Sequence, residues 1–147
     1  MSEYIHKSHN VTVLIYHLVF PANYRRVVFD EHVDEVLKDI CLEIEKRYQI
    51  KFLEIGTDKD HVHFLVQSIP RYSVTNIVTM IKSLTAREIL SRCPQLEKHL
   101  WGGEFWTDGY LSSSVGKHGN EDTIRQYVKN QGATYQKLYG DRQLSVF

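Results

Sequence analysis

Apolar residues in this sequence recur with two different periods, and the order in which those periods alternate is the tightest constraint on its fold. Residues 11–20, VTVLIYHLVF, are β-branched and aromatic and read as a buried strand, broken at Pro21-Ala22-Asn23. Asp30 can cap a helix of about 18 residues, whose apolar stripe is Val33, Val36, Leu37, Ile40, Leu42, Ile44 and Tyr48. Phe52 to Ile55 and His61 to Ile69 then read as two strands joined by the polar turn GTDKD, with Pro70 ending the second. Ser73 can cap a second helix, along which Val74, Ile77, Val78, Ile81, Leu84, Ile89 and Leu90 recur at helical spacing until Pro94.

Leu96 to Trp106 is aromatic, holds Gly102-Gly103, and suggests no regular element. Tyr110 to Val115 reads as a fourth strand, and Gly116-Lys117-His118-Gly119 as a flexible joint. Asn120 can cap a last helix, with Glu121 and Asp122 suiting the dipole of its first turn. Strand, helix, strand, strand, helix, strand is the split βαβ order of ferredoxin-like and RNA-recognition-type folds. The expectation is therefore an α+β domain with an antiparallel sheet and an extra C-terminal helix. Its core would run over about 8–116 and its last helix over about 120–139.

A chain of 147 residues is most simply one domain, able to bury a core without disulfides. Cys41 and Cys93 form no CxxC pair, no apolar run nears the length needed to span a bilayer, and the N-terminal stretch lacks the apolar centre of a signal peptide. These features suit a cytoplasmic protein. Lysine plus arginine equals aspartate plus glutamate at 18 each, which argues against non-specific coating of nucleic acid. A confined basic groove remains open to Arg25, Arg26, Lys82, Arg87, Arg92, Lys117 and Lys129.

The stretch DHVHFLV, residues 60–66, carries the chemistry. Side chains alternate along a strand, so His61 and His63 share one face while Val62 and Phe64 share the other. Two imidazoles one strand repeat apart can grip one metal ion. In the last helix, Tyr127 and Gln131 lie four positions apart and share a face. A phenol is a weak nucleophile at neutral pH unless a cation stabilises the charge developing around it. The histidines can hold that cation, Gln131 can add an oxygen ligand, and open positions remain for phosphate oxygens. Attack by Tyr127 on a phosphodiester would leave a covalent phosphotyrosine.

His61-Val62-His63 together with the Tyr127-x-x-x-Gln131 spacing resembles the HUH single-tyrosine transposases of bacterial and archaeal insertion sequences. The YHLVF segment and the chain length are similar as well. The resemblance implies that Tyr127 cuts single-stranded DNA bearing a hairpin at the element end, becomes joined to the 5′ phosphate, and frees a 3′ hydroxyl that later reseals the strand. It implies His61, His63 and Gln131 as ligands of a divalent ion, magnesium or manganese, with manganese the better match to two imidazoles. It also implies a prokaryotic homodimer that needs no nucleotide cofactor.

Two alternatives compete. A host-retained relative would process chromosomal repeat hairpins, and a non-catalytic module of the same fold would bind nucleic acid without cutting it. A replication initiator or relaxase would share the chemistry, but usually brings larger domains and a third ligand. Outside the motif, Tyr135 and Tyr139 read as packing residues on the last helix, and His17 as a satisfied strand histidine. His118 is a weaker candidate for a phosphate contact. Trp101, Phe105 and Trp106 read as core or dimer contacts, with base stacking the sharper alternative.

Overall fold

The first long apolar run does form a strand, displaced toward the C-terminus: Leu14–Pro21 rather than 11–20, with Pro21 its last residue. A computed structural model describes residues 6–7, 10–11, 14–22, 31–58, 61–100, 104–115 and 136–140. In chain order the elements are β1 (His6–Lys7), β2 (Asn10–Val11), β3 (Leu14–Pro21), α1 (Glu31–Arg47), β4 (Lys51–Asp58), β5 (His61–Ser68), α2 (Val74–Arg92), a 3₁₀ turn (Pro94–His99), β6 (Leu111–Ser114) and β7 (Gln136–Gly140). β1 and β2 pair only with each other, and the remaining strands form one sheet in the order β6-β3-β5-β4-β7.

β3 and β4 each pair antiparallel with β5, so they run parallel to one another on either side of it. β5 and β6 flank β3 in the same way. Two βαβ units are thus interleaved, as the order of periods requires. Register then decides what each face carries. Leu18 stands opposite Phe64 and Phe20 opposite Val62. With Phe52 and Ile55 of β4, these side chains meet Val33, Leu37 and Ile40 of α1 and Ile77, Ile81 and Ile89 of α2 in one buried cluster. The Phe64 ring lies 5.1 Å from Phe20 and 5.8 Å from Phe52, tilted in both cases, as aromatic quadrupoles prefer.

Ser73 caps α2 as its sequence suggests, its side chain accepting from the Asn76 N–H at 3.0 Å. Pro94 stops the helix and opens the 3₁₀ turn. In α1 the buried stripe passes through Cys41, while Leu42 is only half-buried. Hydrophobicity favoured Leu42; helical phase puts Cys41 against the core. Phe105 and Trp106 are core residues, their rings 4.6 Å apart edge to face, as one of the two readings has it.

One expectation fails. Residues 136–139 close the expected terminal helix, yet Gln136–Gly140 is a strand on the free edge of β4, with Ile55 opposite Tyr139. Tyr139 does pack against the core, but from a strand. The four-residue spacing of Tyr135 and Tyr139 mimics helical periodicity, and edge pairing overrides it here. Asp30 and Asn120, the Lys59-Asp60 part of the hairpin turn, Trp101, His118 and Tyr135 lie outside the described residues.

Candidate active site

β5 carries two different faces. Val62, Phe64 and Val66 enter the helix-side cluster. His61, His63, Leu65 and Gln67 alternate with them and face the other side of the sheet. Leu65, Gln67 and Ile15 are buried there, while His61 and His63 remain half-exposed. The two imidazoles therefore share a face, as alternation predicts, and both can be reached from solvent. Gly56 of β4 stands opposite His63 and sets no side chain beside it.

A third histidine joins them. His17 of β3 lies two positions along from Val19, the cross-strand partner of His63, and so on the same face. Its Nε2 shares a 3.2 Å hydrogen bond with His63 Nδ1, and the rings stack with centroids 5.4 Å apart and planes 18° from parallel. His17 is buried, and burial lowers its pKa below the usual imidazole value, which favours the neutral ring. The contact engages Nδ1 of His63 and so constrains the orientation of its ring. His17 is satisfied, as its sequence context suggests, but its partner is a candidate ligand. The available signal was the parity of His17 on β3, which needs the β3–β5 register before it can be used.

The donor chemistry fits a borderline divalent cation: two imidazole nitrogens on one strand face, one ring held by a neighbour. Among the described residues no group of three or more histidine, cysteine or carboxylate side chains gathers as a metal cage. Tyr127 and Gln131 lie outside the described residues, as do Arg25, Arg26, Lys117 and Lys129.

Two of the sequence-predicted basic residues do come together. Lys82 and Arg87, on α2, line a groove of about 540 Å³ with Trp106, Thr107 and Tyr110. Lys82 is partly committed to structure. Its Nζ donates to the carbonyls of Thr107 at 2.6 Å and Gly109 at 2.9 Å, and lies over the rings of Phe20 and Tyr110. Burial pulls its ammonium pKa below the ordinary lysine value, against the opposing pull of Asp108. Arg87 is exposed on the groove wall. Phe20 stands opposite Val62, so the groove lies at the histidine end of the sheet, on its helix side. Arg92, also a candidate, is paired instead with Glu43 and Glu88.

A family model described as "Transposase IS200 like" matches residues 10–131, most of the chain. The chain belongs to the IS200-like transposase family. Against the ISDra2 transposase TnpA of Deinococcus radiodurans, it is 30% identical over 118 residues, 80% of this chain and 84% of that one. The transposase for insertion sequence element IS200 of Salmonella typhimurium is 28% identical over 116 residues, covering 79% of this chain and 75% of its own. A crystal structure of a D. radiodurans R1 protein assigned as a transposase superposes with a TM-score of 0.69 at 30% identity, over 86% of this chain and 97% of that one. The REP-associated tyrosine transposase, solved bound to a REP hairpin, shares the fold with a TM-score of 0.52 at 11% identity, over 88% and 74% of the two chains. As a family member the chain is a DNA transposase, and among its described residues no helix is long and apolar enough to cross a membrane.

Proposed function

We propose that this transposase cuts and rejoins single-stranded DNA at insertion-sequence ends, with Tyr127 as nucleophile and a hairpin as the recognition element. The observation that carries the reading is the pair His61 and His63 on one solvent-reachable face of β5, with His17 bonded to the second ring, in a chain of this family. In the forward step the Tyr127 oxygen attacks the phosphorus, the bond from phosphorus to the 3′ oxygen breaks, and that oxygen leaves as a 3′ hydroxyl carrying the proton. A 3′ hydroxyl attacking the phosphotyrosine reverses the exchange, so bond energy is conserved and no nucleotide is consumed. His61, His63 and Gln131 would hold magnesium or manganese, which when bound offsets charge on the transferring phosphoryl group.

Lys82, Arg87 and the aromatic wall of their groove supply a confined cationic surface, which a chain of zero net charge requires. The hairpin-bound relative of the same fold supports a structured DNA ligand. A homodimer suits the edge strand β6, whose four residues are all exposed, with Leu111 56% exposed. The test is a denaturing gel of the protein with a hairpin-bearing element end and manganese. A covalent protein–DNA adduct is expected, lost in Tyr127→Phe. An adduct that survives in Tyr127→Phe overturns the assignment, and DNA binding with no adduct and no chelator effect favours a non-catalytic module.

A further inference from the structure

The face of the sheet that carries the histidines also holds a buried carboxylate. Glu54 of β4 stands opposite Leu65 of β5, and so shares that face with His61 and His63. It is only 2% exposed, yet its Oε1 lies 3.4 Å from Nζ of Lys137 on β7, a side chain 50% exposed. Register brings the two together. Lys137 stands opposite Gly56, which stands opposite His63, so the three form one row across β7, β4 and β5. At the usual strand spacing, His63 and Lys137 are about 9–10 Å apart along that row. Between the Ile55–Tyr139 and Gly56–Lys137 pairs β7 carries one extra residue, Leu138. Strict alternation would put Lys137 and Tyr139 on one face. The bulge instead turns Tyr139 toward the core, opposite Ile55, and leaves Lys137 and Gly140 on the histidine face. A Cβ at Gly140 would come within 3.4 Å of Lys137 Cδ and 3.6 Å of its Nζ, so the lysine stem lies across the glycine on its way to Glu54.

Burying a carboxylate beside Leu65 is costly unless a cation meets it, so the fold has reason to keep Lys137 in place. β7 itself is a weak element. It has five residues, lies at the edge of the sheet, and pairs with β4 alone. It is also the first described element after the segment that carries Tyr127 and Gln131. Four residues, 132–135, separate Gln131 from Gln136, so the two Cα atoms can be at most about 18 Å apart. β7 is thus the downstream anchor of that segment, and a slip by two residues would move the anchor by about 7 Å. Taking Tyr127 as the nucleophile, as proposed above, we infer that the Glu54–Lys137 pair is a latch. It holds β7 in register on β4 and so makes Lys137 a positioning residue for the delivery of Tyr127 and Gln131 to the paired histidines. The bulge and Gly140 are the local features that let the latch close.

The experiment compares full-length wild type with Lys137→Met, which keeps the stem and removes the charge, and with Lys137→Arg, which restores a cation. Lys137 is exposed, so the fold should survive both changes, and circular dichroism checks this. Three quantities are read: the single-turnover rate of adduct formation at saturating hairpin oligonucleotide with manganese, DNA affinity across a salt series with chelator, and hydrogen exchange of the amides of residues 136–140. Lys137→Met should slow adduct formation by about 10- to 100-fold, the scale of an ångström-sized misplacement, and speed exchange in β7. Its DNA affinity and salt slope should match wild type, because no phosphate contact is lost. Lys137→Arg should recover both rate and protection. Adduct formation at the wild-type rate in Lys137→Met overturns the latch while leaving the Tyr127 reading intact. A shallower salt slope with an unchanged rate at saturation also overturns it, making Lys137 a DNA contact instead. So does a Lys137→Arg variant as slow as Lys137→Met. Failure of the Tyr127 reading looks different: the wild-type chain itself then forms no adduct, and the positioning role falls with it.

Discussion

His17 Nε2 sits 3.2 Å from His63 Nδ1, across the β3–β5 pairing and on the face of the sheet that His61 also occupies. A ring held at one nitrogen is oriented at the other, so His17 fixes the direction in which His63 presents Nε2. Burial also lowers the His17 pKa, which favours its neutral form beside the second ring. His17→Ala should therefore weaken divalent-ion binding by about 10- to 100-fold, the usual cost of losing a partner behind a ligand. Calorimetric titration with manganese on the DNA-free protein reads this directly. Unchanged manganese affinity in the variant would show that His63 needs no such support.

Lys82 and Arg87 share a groove but are expected to fail differently when removed. Lys82 pins two loop carbonyls ahead of β6, so Lys82→Ala should cost about 1 kcal/mol of stability, partial exposure having screened the bonds. Arg87 is exposed, and Arg87→Ala should leave stability within about 0.5 kcal/mol. Its loss should instead lower DNA affinity and reduce the salt slope by about 0.9. Urea melts and binding isotherms on both variants separate the roles; equal melting losses for the two would contradict the division.

How far the sequence could be read depended on the range of the interactions involved. The helix-side cluster and the common face of His61 and His63 follow from periodicity, a local property, and both stand in the structure. The contact between His17 and His63 spans 46 positions and depends on which residues of β3 and β5 face each other. No local pattern encodes that register. β7 was missed because QKLYG has weak strand character, and its pairing with β4 is set by the finished sheet.

Trp106 tests whether the loop before β6 is anchored as strongly as its burial suggests. Its indole Nε1 donates to Thr85 Oγ1 at 2.9 Å, and that hydroxyl donates in turn to the Ile81 carbonyl at 2.6 Å. Both side chains are buried. Thr85→Val keeps the volume but removes the acceptor, so it should destabilise the protein by about 1–3 kcal/mol. Thermal unfolding gives the number, and a variant as stable as wild type would mean that the indole contributes through packing alone.

Cys41 provides a readout of core integrity that is independent of DNA. The thiol is fully buried on the core side of α1, and burial pushes its pKa well above the ordinary thiol value, with Glu45 adding to the shift. The folded state thus holds the proton more tightly than the unfolded chain does. The resulting stability is intact below the ordinary thiol pKa and declines as pH rises beyond it, because only the unfolded chain then gains the ionised form. Native protein at pH 8 should leave Cys41 unmodified by iodoacetamide, while the urea-unfolded chain alkylates readily. Mass spectrometry of Cys41 peptides checks this, and rapid native labelling would show that α1 opens from the sheet far more often than a packed core permits.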